Sequence, residues 1–165
     1  DEQQPYYYSI EIDGVNVIVL DSQIPNEVPG RLDEAQLDWL ANELAKPVRV
    51  GHLIALHHPP VSSTVALLDT MVLTNPADLA AVVANHDNVL GILSGHIHYN
   101  HVTRFQNTFS FTTPAVLYTI DPGVQKNFRA LDGSGFAIGT VRNGQLFMNT
   151  VMMPGGETEL VYRQL

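Results

Sequence analysis

The chain has no cysteine. Disulfides and thiolate metal sites are therefore excluded, and any metal must be held by nitrogen and oxygen. Basic residues are scarce, 8 Lys plus Arg against 17 Asp plus Glu, for a formal net charge of −9. That balance argues against a nucleic-acid surface, which needs a basic stripe. It is no obstacle to a small anionic substrate, because a bound dication reverses the local field. No apolar run approaches a membrane span and no signal-peptide pattern is present, so a cytoplasmic location without membrane contact is the expectation. A serine nucleophile elbow, a phosphate-binding glycine loop and a dinucleotide fingerprint are all missing. The opening Asp1-Glu2-Gln3-Gln4-Pro5 has no initiator methionine and reads as a linker or a cut point.

What is present suits a folded protein. With 165 residues, 45% of them hydrophobic and 15% charged, residues 1–165 are expected to form a single domain. Tyr6–Ile12 and Val15–Leu20 read as strands joined by a tight turn at Asp13-Gly14. Ser22–Gly30, with Pro25 and Pro29, reads as a loop. Asp33 is placed to cap a helix, with Gln36 as capping-box partner and Leu37, Leu40, Ala41 and Leu44 at helical spacing up to Pro47. Strand His52–Leu56, a long connection of some helical character over Val61–Leu73, a helix from Asn75-Pro76 through Val83, and strand Val89–Leu93 follow. This βαβ order implies at least partly parallel pairing. Short strands are then expected at Val102–Phe105, Thr108–Thr112, Phe136–Arg142 and Gln145–Val151, with a hairpin turn at Asn143-Gly144. Asp121–Gly135 reads as polar and irregular.

Two histidine motifs stand out, Leu56-His57-His58-Pro59-Pro60 and, 39 residues on, Gly95-His96-Ile97-His98. Each follows a buried strand, and ligands of open α/β sheets gather at the ends of strands. The prolines after His58 lock a rigid turn. Gly95 is read as leaving space where the backbone passes close to a neighbour. Three imidazoles suit Zn, Fe, Mn or Ni, and could hold one zinc of the hydrolytic kind. A two-metal site needs a bridging carboxylate besides. Asp21, Asp69 and Asp121 are the candidates, with Asp21 also placed to cap its own loop. His52, His86 and His101 lack comparable settings and are expected in surface or supporting roles.

His57-His58-Pro59-Pro60 and Gly95-His96-Ile97-His98 resemble the last two motif blocks of the calcineurin-like metallophosphoesterases. Leu20-Asp21-Ser22, Gly30-Arg31-Leu32, Gln36-Leu37-Asp38-Trp39-Leu40 and Leu68-Asp69 narrow the resemblance to the bacterial class III cyclic-nucleotide phosphodiesterases and their glycerophosphodiesterase relatives. The earlier blocks of that family, Asp-x-His, Gly-Asp and Gly-Asn-His-Asp, are absent. The resemblance implies an α/β fold, the C-terminal half of a four-layer α/β/β/α sandwich: a mixed sheet with flanking helices, C-terminal hairpins, and an exposed seam where the other half belongs. It implies that His57 and His96 bind one metal and His98 a second, with His58 behind them orienting ligands or contacting phosphate. Two transition metals (Mn, Fe or Zn) would occupy the complete site.

The activity so implied is hydrolysis of a small phosphodiester by a metal-activated hydroxide, with 3′,5′-cyclic nucleotides among the candidate substrates. The chain alone is expected to bind metal weakly and turn over poorly. It would need the N-terminal half in cis, as a second chain, or a self-associated substitute in a homodimer. Two other readings stand beside this one. One is a mononuclear zinc hydrolase using the three histidines, and the other is a non-catalytic interaction or dimerisation module that keeps the fold.

Overall fold

A computed structural model describes residues 6–124, 127–153 and 158–164, with side chains for all of these except 127 and 161–164. The reading of residues 1–5 lies outside them. Strands β1 (Tyr8–Ile12) and β2 (Val15–Val19) form the expected hairpin. Its turn takes positive φ at both Asp13 and Gly14, the geometry whose twist matches the strands. Helix α1 (Glu34–Leu44) begins where the Asp33 side chain accepts from the Gln36 backbone N–H at 2.8 Å. The reciprocal half of the capping box does not form. Gln36 instead turns its amide away, accepting from the Asp21 N–H at 2.7 Å and donating to the Asp21 carbonyl at 2.8 Å. Two bonds to one backbone unit satisfy a buried amide better than one bond to its own cap, and they tie α1 to the loop after β2.

Strand β3 (Gly51–Ala55), helix α2 (Pro76–Val83) and strand β4 (Val89–Ser94) complete the βαβ unit. The long connection is helical only at a 3₁₀ turn, Leu68–Thr70. Strands β5 (His101–Phe105) and β6 (Thr108–Thr112) finish a six-stranded sheet of order β1-β2-β3-β4-β6-β5. Its four central strands are parallel and its two edges antiparallel, an α/β mixed sheet as expected. The region 121–135 departs from the expectation of irregular chain. Strand β8 (Asn127–Leu131) lies within it and pairs with β7 (Thr119–Ile120) just before it, and β11 (Glu159–Gln164) joins them in a three-stranded sheet. Arg129 bonds both Asp121 at 3.1 Å and Glu159 at 3.0 Å, and such cross-strand pairing between distant segments leaves no local period to read. Between β8 and β11, β9 (Gly135–Arg142) and β10 (Gln145–Met152) form the expected hairpin at Asn143-Gly144.

The main core lies between one face of the six-stranded sheet and the two helices. Ile18, Ile54 and Ile92, side by side on β2, β3 and β4, meet Leu40, Leu44, Leu79 and Val83, all within 2% of full burial. The opposite face carries Tyr8, Ile10 and Ile12 in register with Val19, Val17 and Val15. Those three β1 side chains are about half exposed. The β9–β10 hairpin lies across part of this face, with Leu146 filling the space left by Gly91. No helix among the described residues is long and apolar enough to cross a membrane.

One buried polar group lies far from both histidine motifs. His52, on β3, is fully buried and bonds Asn16 through Nδ1 at 3.3 Å, so neither a surface role nor a place beside the histidine motifs holds for it. Burial, helped by His86, holds it below the usual histidine range, while the Lys46 carbonyl and Glu43 work in the opposite direction. Nearby Glu43 is penalised by burial, yet its contacts with Lys46, Ser9 and Asn16 outweigh this and lower its carboxyl. A histidine with a depressed folded pKa contributes stability that is intact above about pH 6.5 and lost as pH falls through the folded value. The Glu43 contribution is lost only in a lower window, below its ordinary 4.5. The urea midpoint is therefore expected to fall between pH 7.5 and pH 5.5, and to fall less in His52→Gln. Identical falls in the two proteins would contradict the assignment to His52.

Candidate metal centre

Strands β3 and β4 are parallel neighbours, so their C-terminal ends emerge side by side. The pairing continues past the strands: the Leu56 N–H donates to the Leu93 carbonyl at 3.0 Å, and the Gly95 N–H to the His57 carbonyl at 3.1 Å. Motifs 39 residues apart become adjacent loops, with His57 Nε2 2.9 Å from His96 Nδ1. The ligand atoms of His57, His58 and His96 all lie within 4.8 Å of one another. His98 stands outside this trio, its ring against Tyr118 with centroids 4.3 Å apart.

The second loop is held by the residue between its histidines. Ile97 is fully buried in a separate cluster with Val65, Leu68, Tyr99, Ile120 and Ala130. His96 and His98 both take positive φ, +67° and +58°, a conformation uncommon for residues other than glycine. The Ile97 N–H closes a tight turn on the Gly95 carbonyl at 2.8 Å. Anchoring the middle residue holds the two flanking imidazoles in this strained arrangement, the kind of strain that the surrounding packing must over-determine. The reading of Gly95 as a close-approach position is corrected here, since a Cβ at Gly95 would meet nothing within 4 Å.

That role falls instead to Gly30, whose place in Gly30-Arg31-Leu32 carried no sign of a close approach. A Cβ at Gly30 would lie 2.3 Å from His58 Nδ1. His58 packs on this bare backbone, buried, with Nδ1 2.8 Å from Ser22 Oγ and Nε2 3.0 Å from the Val28 carbonyl. The carbonyl can only accept, so Nε2 carries the proton and Nδ1 accepts from the Ser22 hydroxyl. With both ring nitrogens engaged by the protein, His58 is a brace between β3 and the loop after β2. Ser22 in turn follows Asp21, whose backbone Gln36 clamps.

The electrostatics suit metal ligation, which needs neutral imidazoles. Burial first, then the neighbouring His58, His57 and His98 rings, push His96 down to about 4. Burial also lowers His57 and His98, the latter against the opposing pull of the Tyr118 carbonyl. His96 Nε2 and His98 Nδ1 are buried without a hydrogen-bond partner among the described residues, a costly state for a polar atom. Imidazole nitrogens of this kind, with lone pairs free at neutral pH, fit a metal centre.

Of the carboxylates considered, Asp21 alone borders the cavity of about 500 Å³ beside His57, His58 and His96. Its Oδ1 accepts from the Gln23 N–H at 3.0 Å, as a loop cap. Asp69 bonds the Ser63 backbone and Asp121 bonds Arg129, both away from the trio. Among the described residues no carboxylate joins the histidine cluster. Glu27 also lines the cavity and had no sequence signal. His86 lies just past α2, half-buried, and His101 on β5 bonds Thr103 at 3.1 Å.

The chain is 36% identical over 149 residues to a cAMP/cGMP dual specificity phosphodiesterase of Mycobacterium tuberculosis, covering 89% of this chain and 46% of that protein. It is 32% identical over 106 residues to the 3′,5′-cyclic adenosine monophosphate phosphodiesterase CpdA of Escherichia coli, covering 64% of this chain and 38% of that one. It thus spans less than half the length of either relative. No protein-family model matches. In structure it resembles a dimetal phosphatase from Danio rerio, at TM-score 0.57 and 15% identity over 87% of this chain and 60% of that one. It also resembles a purple acid phosphatase from yellow lupin, at TM-score 0.53 and 12% identity over 89% and 32% of the two chains. These two likenesses show a shared fold.

Gly30→Ala is expected to drive a methyl group into the His58 ring, break its contact with Ser22 and cost about 1–3 kcal/mol. Urea denaturation, with the His58 imidazole followed by NMR, measures both effects. Wild-type stability and an unshifted His58 would contradict the bracing role.

Proposed function

We infer that this chain, which has the calcineurin-like metallophosphoesterase fold and resembles the bacterial cyclic-nucleotide phosphodiesterases in sequence, is the C-terminal part of a phosphodiesterase domain. The observation that carries this reading is the meeting of His57 and His96 at the ends of two adjacent parallel strands, with His98 two residues further along the same loop. We assign His57 and His96 to one metal and His98 to a second, with Mn, Fe or Zn as the ions that such nitrogen and oxygen sites accept. The metals would supply a nucleophilic water at neutral pH and a clamp on the phosphoryl oxygens.

The chain's own groups do the positioning. His58 keeps its Nε2 proton on the Val28 carbonyl and its Nδ1 on Ser22, which fixes the loop that presents His57. Ile97 holds the loop that presents His96 and His98. A small phosphodiester, 3′,5′-cyclic nucleotides among them, would lie over the cavity bordered by Asp21, Glu27 and these histidines.

The N-terminal half of the domain is the partner in this reading, and it would bring the bridging carboxylate that the trio lacks. The half-exposed Tyr8, Ile10 and Ile12 face of the sheet is where we place it, since a four-layer sandwich buries that surface against a second sheet.

Restoring the N-terminal half is expected to give Mn- or Zn-dependent hydrolysis of an aryl phosphodiester. His96→Ala should reduce that hydrolysis by orders of magnitude, with a parallel loss of bound metal by calorimetry. Full activity in His96→Ala would overturn the assignment. Stoichiometric zinc and turnover in the 165-residue chain by itself would favour the mononuclear reading instead.

A further inference from the structure

The two hairpin turns of this chain share one geometry and differ in what surrounds them. Asp13-Gly14 takes φ of +50° and +86°, and Asn143-Gly144 takes +51° and +72°. Asp13-Gly14 is covered. The Arg49 side chain lies against it, so that a Cβ at Gly14 would meet Arg49 Nε at 2.8 Å. Arg49 Nη2 donates to the Asp13 carbonyl, and the Val50 N–H donates to the Gly14 carbonyl at 2.9 Å. Asn143-Gly144 is open. Both residues are exposed, and a Cβ at Gly144 would meet nothing within 4 Å. No backbone group of another segment bonds this turn among the described residues.

The open turn also carries the more reactive pair. Of the asparagines in the chain, Asn143 alone precedes a glycine. The side-chain carbonyl carbon of an asparagine can be attacked by the backbone nitrogen of the next residue. A side chain on that residue obstructs the approach, and glycine has none and bends freely. While the strands stay paired, the turn holds these two atoms in place, so the attack needs the hairpin tip to open. Tips and termini open at the low end of the free-energy scale of a folded protein. Here the restraint is Leu146, two residues past the turn, which packs so closely on β4 that a Cβ at Gly91 would meet its Cδ2 at 2.6 Å.

We propose that Asn143-Gly144 is a self-modification site, at which the folded chain converts Asn143 to aspartate and isoaspartate at a rate set by the docking of Leu146 on Gly91. Gly144 N forms a bond to Asn143 Cγ and the Cγ–Nδ2 bond breaks. The side-chain nitrogen leaves as ammonia, taking up the proton that Gly144 N gives up. Water then opens the cyclic imide. Addition at Cγ yields aspartate, and addition at the Asn143 main-chain carbonyl yields isoaspartate. No electrons change hands. Aspartate keeps the turn, because Asp-Gly suits it as well as Asn-Gly. Isoaspartate adds a carbon to the main chain inside a two-residue loop, where loop length fixes the register, so it loosens the hairpin from the sheet. Either product brings a new carboxylate to the cavity of about 600 Å³ that Asn143 shares with Asp13 and Arg49.

The test is incubation of the full chain at mildly alkaline pH in water enriched in oxygen-18, with peptide mapping by mass spectrometry and circular dichroism to follow folding. Label is expected at residue 143. Leu146→Ala should speed its uptake by about tenfold, through easier opening of the tip. The milder Leu146→Val should speed it by a smaller factor and serves if the first variant does not fold. Both variants should match the wild type once all are unfolded in urea. Arg49→Ala should raise isoaspartate at Asp13 and leave the rate at Asn143 unchanged. No label at residue 143 of the folded chain, over a time in which the unfolded chain converts fully, would overturn the proposal. Equal rates in the wild type and in the folded Leu146 variants would overturn it too.

Discussion

The site depends on the parallel pairing of β3 with β4 and its continuation by one hydrogen bond, from the Gly95 N–H to the His57 carbonyl. Parallel neighbours end on the same side of a sheet, so a crossover helix of ordinary length is enough to bring together two motifs that are 39 residues apart. The crossover also buries α2 against the sheet. The same packing that stabilises the domain thereby sets the separation of the imidazoles. Site and core are coupled through Leu56 and Ile92, which lie just before His57 and near the end of the strand before Gly95, inside the main cluster.

A second set of contacts braces that geometry from below. Gln36 clamps the Asp21 backbone, Ser22 bonds His58, His58 bonds Val28, and Gly30 leaves the space in which the His58 ring lies. This chain of buried polar contacts joins α1, the loop after β2 and the end of β3. Each member is satisfied by the next, which is the condition under which a buried polar network rigidifies a structure. It also separates the two histidines of the first motif by role. His57 faces the cavity, while His58 spends both nitrogens on the protein.

The small sheet of β7, β8 and β11 makes a different contribution. It packs on Ile97 through Ile120 and Ala130, so it supports the strained turn that carries His96 and His98. It also supplies Ile120 and Phe128 to the apolar wall beside them. The loop of His96 and His98 and the apolar cavity beside it therefore share one core, distinct from the helix-backed core of the large sheet.

The hairpins at Asp13-Gly14 and Asn143-Gly144, the Asp33 cap, the two helices and the βαβ order are all legible in the sequence. Each is specified by neighbours within a few residues, through turn chemistry, capping and the period of apolar side chains. The two histidine motifs are legible for the same reason, as short strings at strand ends. Tertiary structure alone decided that Gly30, not Gly95, is the position without room for a side chain, that Gln36 grips Asp21 in place of its own cap, and that His52 is fully buried. It also decided that residues 127–131 pair with 159–164. These outcomes arise between segments brought together only by folding, where packing and the need to satisfy buried polar groups override local preference.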